Sequence, residues 1–408
     1  ALCGTTTQSQ PSEWFAWYLR EKDPLWREAS RSLDEARHAE NALAATLGEI
    51  MVMREMPMDP RPTYVLERGR FDARREAVQP GTPSSVLAFP PDFPRNRLGY
   101  ARWLTDRRHP LTARVYVNRV WQQFFGRGIV GTSEDFGVQG EAPTHPELLD
   151  WLAVEFMDSG WDVKALCRRV VLSATYRQSV VPHQLALLHE DPDNKLLARG
   201  PRQRLTAEQL RDSALAVSGL LAPEMGGPPV KPYQPTGLYE SSGMRAGYPQ
   251  DHGNALYRRS LYTFWNRTLP PAAMTVFDAP TREFCKARRD RSATPLQALV
   301  LFNDVQFVEA ARILAEKLVR EFHHNDAARA LTAWRLLTAQ APTPQQLEAI
   351  TQFLVQERAA FTEHADEAAQ FCRCGEHPAA ESLPVVEVAA TAALVRALFA
   401  YDDCVMKP

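Results

Sequence analysis

Residues Gly126 to Leu152, GRGIVGTSEDFGVQGEAPTHPELLDWL, bring together groups that could do chemistry. Five glycines interleave with Glu134, Asp135 and Glu141, and His145 stands where an apolar helix begins. Three chemistries compete. A phosphate cradle needs inward-pointing glycine amides, usually followed by a lysine. Here the acids would repel phosphate and no lysine follows. A calcium loop needs oxygen ligands at alternating positions. Glu134 and Asp135 supply oxygens but match no known spacing. A packed Ω-like turn would tuck Ile129, Val130, Phe136 and Val138 inward and use the glycines for positive φ. The residues favour this third reading, with the loop acids paired to the preceding helix at Arg114 and Arg119. That helix carries Arg114, Asn118, Arg119 and Gln122 as a polar row. Arg114, Asn118, Arg119, Glu134, Asp135 and His145 are therefore candidate ligand-binding residues.

A second cluster is FDAPTREFCKARRDRSATPLQ (277–297). Arginines just before a helix N-terminus can hold a sulfate, phosphate or carboxylate. Asp278, Arg282, Arg288 and Arg291 are the candidates, and the competing reading is a salt-bridged connector. Cys285 lies in the same run, where positive neighbours lower a thiol pKa, but no histidine is close in sequence. CRCGEH (372–377) offers Cys372, Cys374 and His377, with Cys404 as a fourth group, as a weak zinc set. Its C-x-C spacing differs from the usual C-x-x-C knuckle, so no metal is expected. His145, and His252 beside Asp251, could each act as a general acid or base. No GxSxG, HExxH or CxxCH occurs, so neither a partnered nucleophile nor a haem site is visible, and no cofactor is evident.

These groups need elements to place them. The chain has 408 residues, enough for two or three domains, and 45% are hydrophobic. A net charge of −2 gives no bias towards nucleic acid. No apolar run reaches the roughly 18 residues of a membrane span. Seven of the 47 basic residues are lysine, which leaves forty arginines. Codon bias would explain that skew. Buried or bidentate arginine–carboxylate pairs would also use it.

Apolar periodicity predicts helices across 12–53, as an amphipathic helix or hairpin, and at 97–106, 110–126, 144–158, 161–177 and 205–221. Further helices fall at about 291–304, 305–322, 327–340, 344–361 and 384–400. Thr144 with Glu147, and Thr206 with Gln209, read as capping boxes. Asp162, Thr294 and Thr343 read as caps. Residues 58–94 are dense in proline and read as an extended strap, with a short strand at Thr63–Leu66. Residues 222–257 form a long Gly- and Pro-rich excursion. RRSLYTFWNRT (258–268) is the best strand candidate. The fold class is mainly α: a multi-helix domain with long irregular loops and few strands. The expected division is 1–57, a strap at 58–95, and a main domain at 96–408, with a subdivision near 222–257.

Several long motifs also carry a resemblance. NRLGYARWLTDRRHPLTARVYVNRVWQQFFGRGIVGTSEDFG, RQRLTAEQLRDSALAVSG and RRSLYTFWNRTLPPAAMTVFDAPTREFCKARRDRSATPLQALVLFND follow one another in order. Together they resemble a planctomycete family, domain-of-unknown-function family 1553, strongly over 51–322 and more loosely over 323–405. The resemblance implies the C-terminal part of a large exported protein. Such proteins often carry an uncharacterised companion domain and a cytochrome c-like domain upstream, and their neighbours are often sulfatase-like. The family supplies no catalytic residues to carry over. CRCGEH and the YDDC at 401–404 look like departures from the family's tail.

The function expected is a binding or scaffold module associated with polysaccharide-processing machinery at the cell envelope, in a periplasmic, cell-surface or secreted setting. Its partners would be a companion domain or protein and an anionic or sulfated glycan. One alternative is a hydrolase acting on such a glycan. A weaker one is an accessory to a cytochrome c-like electron-transfer protein.

Overall fold

The structure is a computed structural model that describes residues 13–48, 50–56, 61–241 and 247–407. Cys3, residues 58–60 of the strap and the centre of the 222–257 excursion at 242–246 lie outside the described residues. The fold is mainly α. Among the described residues no helix is long and apolar enough to cross a membrane.

The chain divides into two compact units. The first comprises residues 1–82 with 91–100. It holds a helical hairpin, α1 (Glu13–Glu21) and α2 (Pro24–Thr46). Asp23 turns the chain between them, accepting from Trp26 N at 3.0 Å while Pro24 occupies the first helical turn. A two-stranded antiparallel ribbon follows, β1 (Thr63–Leu66) with β2 (Arg74–Val78). The proline pattern revealed β1 alone. β2 is RREAV, exposed along its whole length, so no apolar alternation marks it.

The second unit comprises residues 83–90 with 101–408. The boundary falls within α3 (Arg97–Leu104). α4 (Thr112–Phe125), α5 (Pro146–Asp158) and α6 (Val163–Leu172) close over one core, which includes Val117, Trp121, Leu152, Phe156 and Val170. After the short α7 (Leu187–Glu190) comes strand β3 (Gln203–Arg204), then α8 (Ala207–Ser218). Among the described residues the excursion and its successor contain two short α-helices, α9 (Leu238–Ser241) and α10 (Ala272–Val276), and 3-10 turns at Gly253–Tyr257 and Ser260–Tyr262. Then come α11 (Pro295–Asn303), α12 (Val305–Glu321), α13 (Asp326–Thr338), α14 (Pro344–Glu363), α15 (Ala365–Phe371), α16 (Val385–Phe399), α17 (Asp402–Val405) and strand β4 (Met406–Lys407). α12 and α16 form the centre. Ala310, Ala311 and Ala315 on one, and Ala389, Ala390, Ala392 and Ala393 on the other, are buried, and such small side chains let two helices approach closely.

Most helix starts follow the capping chemistry. Thr206 with Gln209 and Thr343 with Gln346 form complete capping boxes, and Asp162 accepts from Ala165 N at 3.0 Å. Two expectations fail. The N-cap of α5 is His145, and Thr144 instead gives its hydroxyl to Ile129 O at 3.3 Å. At α11 Thr294 makes no side-chain cap. Gln297 turns into the core, donating to Val276 O at 2.9 Å and Ser292 Oγ at 3.1 Å.

The strand expected at 258–268 is also absent. The segment makes single bridges, Ala222 to Arg258 and Val230 to Thr263, around a 3-10 turn at Ser260–Tyr262. Side chains of α8 take the polar groups a sheet partner would need. Arg211, buried at 6% exposure, donates to Leu256 O and Arg258 O at 2.7 Å each, and to Gln306 Oε1 at 2.5 Å. Asp212 accepts Ser260 N at 2.8 Å. Replacing Arg211 by Met should therefore cost at least about 3 kcal/mol, because it strands several buried acceptors. The exposed Arg320→Met should change stability by less than about 0.5 kcal/mol. Urea denaturation of the two variants measures the difference.

Candidate functional site

The site begins where α4 ends. Asn118 is fully buried. Its Oδ1 accepts Val130 N at 2.8 Å, and its Nδ2 donates to Val130 O at 3.0 Å and Ser133 Oγ at 3.2 Å. One turn later Gln122 Oε1 accepts the Ser133 hydroxyl. Thr132 Oγ1 donates to Asp135 O at 2.8 Å and accepts Glu141 N at 2.9 Å. The loop after Gly126 is thus a packed structural turn, held by its own helix. Ile129 and Val130 are buried as expected, whereas Val138 is fully exposed at the loop tip.

Gly126 ends α4 at φ +82°, and its amide donates to Gln122 O at 2.8 Å. A Cβ there would stand 2.9 Å from Gln203 Oε1 and 3.2 Å from an Arg291 guanidinium nitrogen. Glycine is required twice, for the left-handed backbone and for the close approach. Gln203 comes from β3, which pairs with β4, Gln203 opposite Lys407 and Arg204 opposite Met406. Gln203 Nε2 donates to Gln123 O at 2.9 Å and Phe124 O at 3.2 Å, so it ties β3 to the carbonyl end of α4.

Between these elements opens a cleft of about 560 Å³. Arg127, Arg202, Arg204, Arg288 and Arg291 line it, and Asp193 and Asp402 are its acids. Three of the arginines are engaged at the rim. Arg127 meets Glu141 and lies 3.9 Å from Asp193. Arg202 meets Asp402, with Asp403 at 3.3 Å. Arg288 lies 3.8 Å from Glu134. Among the described residues no ion pair engages Arg204 or Arg291, and Arg204 Nε is buried with no hydrogen-bond partner. Crowding by the protein and the neighbouring Arg289 charge lower the proton affinity of Arg291. Two guanidinium groups on the cleft wall, Arg204 and Arg291, are therefore left without an ion pair among the described residues.

The candidates named from sequence divide sharply. Arg288 and Arg291 line the cleft, and Glu134 reaches its rim through Arg288. The others serve the fold. Arg114 pairs with Asp150 at 2.6 Å, not with a loop acid. Arg119 is exposed and forms no ion pair among the described residues. Asp135 turns back onto Gly137 N at 2.7 Å. His145 Nδ1 lies 2.9 Å from Thr144 Oγ1, away from the cleft. Asp278, at φ +60°, accepts Ser292 N at 2.6 Å and the Ser292 hydroxyl, closing the neck of the 279–291 loop. Arg282 stacks 4.3 Å from the Trp265 ring centre. Cys285 is exposed on the same loop, outside the cleft lining. His252 pairs with Glu376 at 2.7 Å rather than with Asp251. Sequence reasoning missed Arg127, Arg202, Gln203, Arg204 and Asp402. Arg202 and Arg204 sit just before the α8 capping box, the same arrangement that drew attention to 277–297.

The weak zinc set does not assemble. Among the described residues no three His, Cys, Asp or Glu side chains are grouped to hold a metal ion. The 372–378 turn wraps onto α12 instead. Glu309 Oε1 accepts His377 N at 2.7 Å, and Arg312 donates to His377 O at 2.6 Å and Cys374 O at 3.3 Å. Cys372 is buried and donates to Val385 O, and burial pushes its thiol up to about 11. Cys404 is pushed up to about 12 by burial at an apolar cavity.

A family described as "Protein of unknown function (DUF1553)" matches residues 96–354, and the chain belongs to it. The matched span contains the cleft-lining residues from 122 to 293, while Asp402 and Met406 lie beyond it. Nothing among curated proteins and nothing among solved structures matches the chain.

The α4 geometry separates two neighbours. Asn118→Ala should destabilise the chain by about 3 kcal/mol, since both polar groups of Val130 lose their buried partner. Arg119→Ala should leave the melting curve unchanged within about 0.5 kcal/mol. Calorimetry on both variants measures the contrast.

Proposed function

We propose that this domain is a binding module whose arginine-lined cleft holds the acidic group of an anionic polysaccharide, sulfated or carboxylated. The observation that carries the reading is the pair Arg204 and Arg291, two guanidinium groups on a cleft wall without carboxylate partners among the described residues. Arginine's planar fork matches a sulfate or carboxylate in a bidentate way. Phe125, Pro192, Ala293 and Met406 add apolar surface beside the charge, which suits the carbon face of a sugar. Among the described residues the cleft lining pairs no histidine with its one serine, Ser292, whose hydroxyl is turned onto Asp278, which favours binding over a nucleophile-and-base mechanism.

A docking role for a companion domain or protein has separate support in the first unit. Trp14, Trp17 and Trp26 on α1 and α2 are 81%, 44% and 41% exposed, and α2 buries none of its described residues. Exposed aromatic clusters of this kind mark interaction surfaces.

Hydrolysis is the second reading, and Asp193 and Asp402 favour it as two carboxylates lining one cleft. Under the binding reading, Arg204→Met and Arg291→Met should each weaken binding of a sulfated or uronate oligosaccharide by at least about tenfold, the loss expected of a charge-assisted hydrogen bond. A neutral oligosaccharide should not bind, and the substrate should be recovered intact. Equal binding of neutral and anionic glycans in titration calorimetry would sink this reading. Chain cleavage lost in Asp193→Asn would establish the hydrolase instead.

A further inference from the structure

One acceptor at the cleft has a fixed orientation and no donor to meet it. Gln203 lines the cleft and is 8% exposed. Its Nε2 donates to Gln123 O at 2.9 Å and Phe124 O at 3.2 Å, two carbonyls of the last turn of α4 that the helix itself leaves unpaired. Only the amide nitrogen can face two carbonyls, so the side chain cannot turn over. Oε1 is thereby held on the other side, and among the described residues it accepts no hydrogen bond. It borders the bare face of Gly126, where a Cβ would stand 2.9 Å from Oε1 and 3.2 Å from an Arg291 guanidinium nitrogen. Gly126 and Arg291 line the cleft as well. The space that a side chain on Gly126 would fill is therefore edged by one buried acceptor and one cationic donor. A buried acceptor left unpaired costs free energy that a ligand's donor can return.

We infer that Gln203 sets the specificity of the cleft: the anion it takes carries a hydroxyl beside its acidic group, and that hydroxyl donates to Gln203 Oε1. This rests on the cleft reading above and narrows it to sugar acids or sugar sulfates with a free hydroxyl next to the charge. The acidic group lies against the Arg204 and Arg291 guanidiniums. The hydroxyl enters the space over Gly126, where its proton meets Oε1 and its lone pairs face Arg291. Glycine at 126 keeps that space open. An anion without the donor leaves Oε1 unpaired and is held by charge alone. A site built around a buried polar group rejects the analogue that lacks the matching group far more strongly than an apolar pocket rejects a missing methylene. Asp193 and Asp402 could also accept a hydroxyl, but both are mostly exposed and stand beside Arg127 and Arg202. Water competes for them, so they discriminate weakly.

The test is titration calorimetry of the whole chain with two pairs of probes. One pair is methyl β-D-glucuronide and its 4-deoxy form, the other methyl β-D-glucoside 6-sulfate and its 4-deoxy form. Each pair keeps the acidic group and removes the neighbouring ring hydroxyl. Wild type should bind a hydroxylated probe at least about tenfold tighter than its deoxy partner. Gln203→Met keeps the length of the side chain and removes the acceptor, and it should bring the two probes to within about twofold of one another. Gly126→Ala leaves Gln203 on its two carbonyls and fills the space with a methyl group. It should abolish the preference too, so the question is decided even where Gln203→Met does not fold. Equal affinities within a pair in wild type, or a preference that survives in either folded variant, overturns the inference while leaving the cleft reading intact. Binding of none of the four probes removes the cleft reading and this inference with it.

Discussion

Irregular backbone inside this protein depends on buried guanidinium groups. A loop that runs against a core exposes carbonyls that neither a helix nor a sheet satisfies. Arg199, Arg211, Arg258, Arg312 and Arg329 all have exposures of 9% or less. Each donates to two or more loop carbonyls. Arg199 holds Asp191 and Pro192, Arg258 holds Gly226 and Pro228, and Arg329 holds Phe322 and His323. One fork with five donors serves several acceptors at once, which a lysine's compact ammonium does less well. A mostly helical chain can thus carry a 36-residue excursion without a sheet to support it. The arginine-rich composition has a structural use here, whatever codon preference lies behind it. Arg329 and Arg358 also share Glu387 and Asp326: Arg329 is buried, and the partly buried Arg358 forks onto Asp326, so the buried or bidentate pairs that the composition suggested both occur.

The helices were legible because their signals are local. Apolar spacing placed eleven segments, the Thr206 and Gln209 pair marked the start of α8, and Thr343 marked that of α14. The failures have a common cause. Thr144 and Gln297 carry the right chemistry at the right spacing, yet each is recruited by a distant group, Ile129 O and Val276 O respectively. Arg258–Thr268 has the composition of a strand, but α8 supplies its partners side by side. Tertiary demand overrides local preference wherever a buried acceptor would otherwise go unpaired.

The cleft was half legible. Arg288 and Arg291 announced themselves as a cluster before a helix. Their opposite wall comes from residues near 127 and 203 and from beyond 400, and no spacing rule joins segments so far apart. Asn118 misled for a different reason. A polar residue on a helix looks available to a ligand, and here it is spent on fastening the loop that follows. The opening loop's glycines work in the same way. They admit close neighbours, Gln203 and Arg291 at Gly126 and the Asn118 amide at Gly128, rather than a phosphate.

The pairing of β3 with β4 bears on how the chain acquires its shape over time. The hydrogen bond from Lys407 to Phe124 O spans 283 residues. Contacts so distant in sequence form late, after nearer ones have repaid their loop entropy. During synthesis the α4–α6 core can be complete long before residues 402–407 exist. A nascent chain at that stage has its first core closed and its arginine wall open on one side.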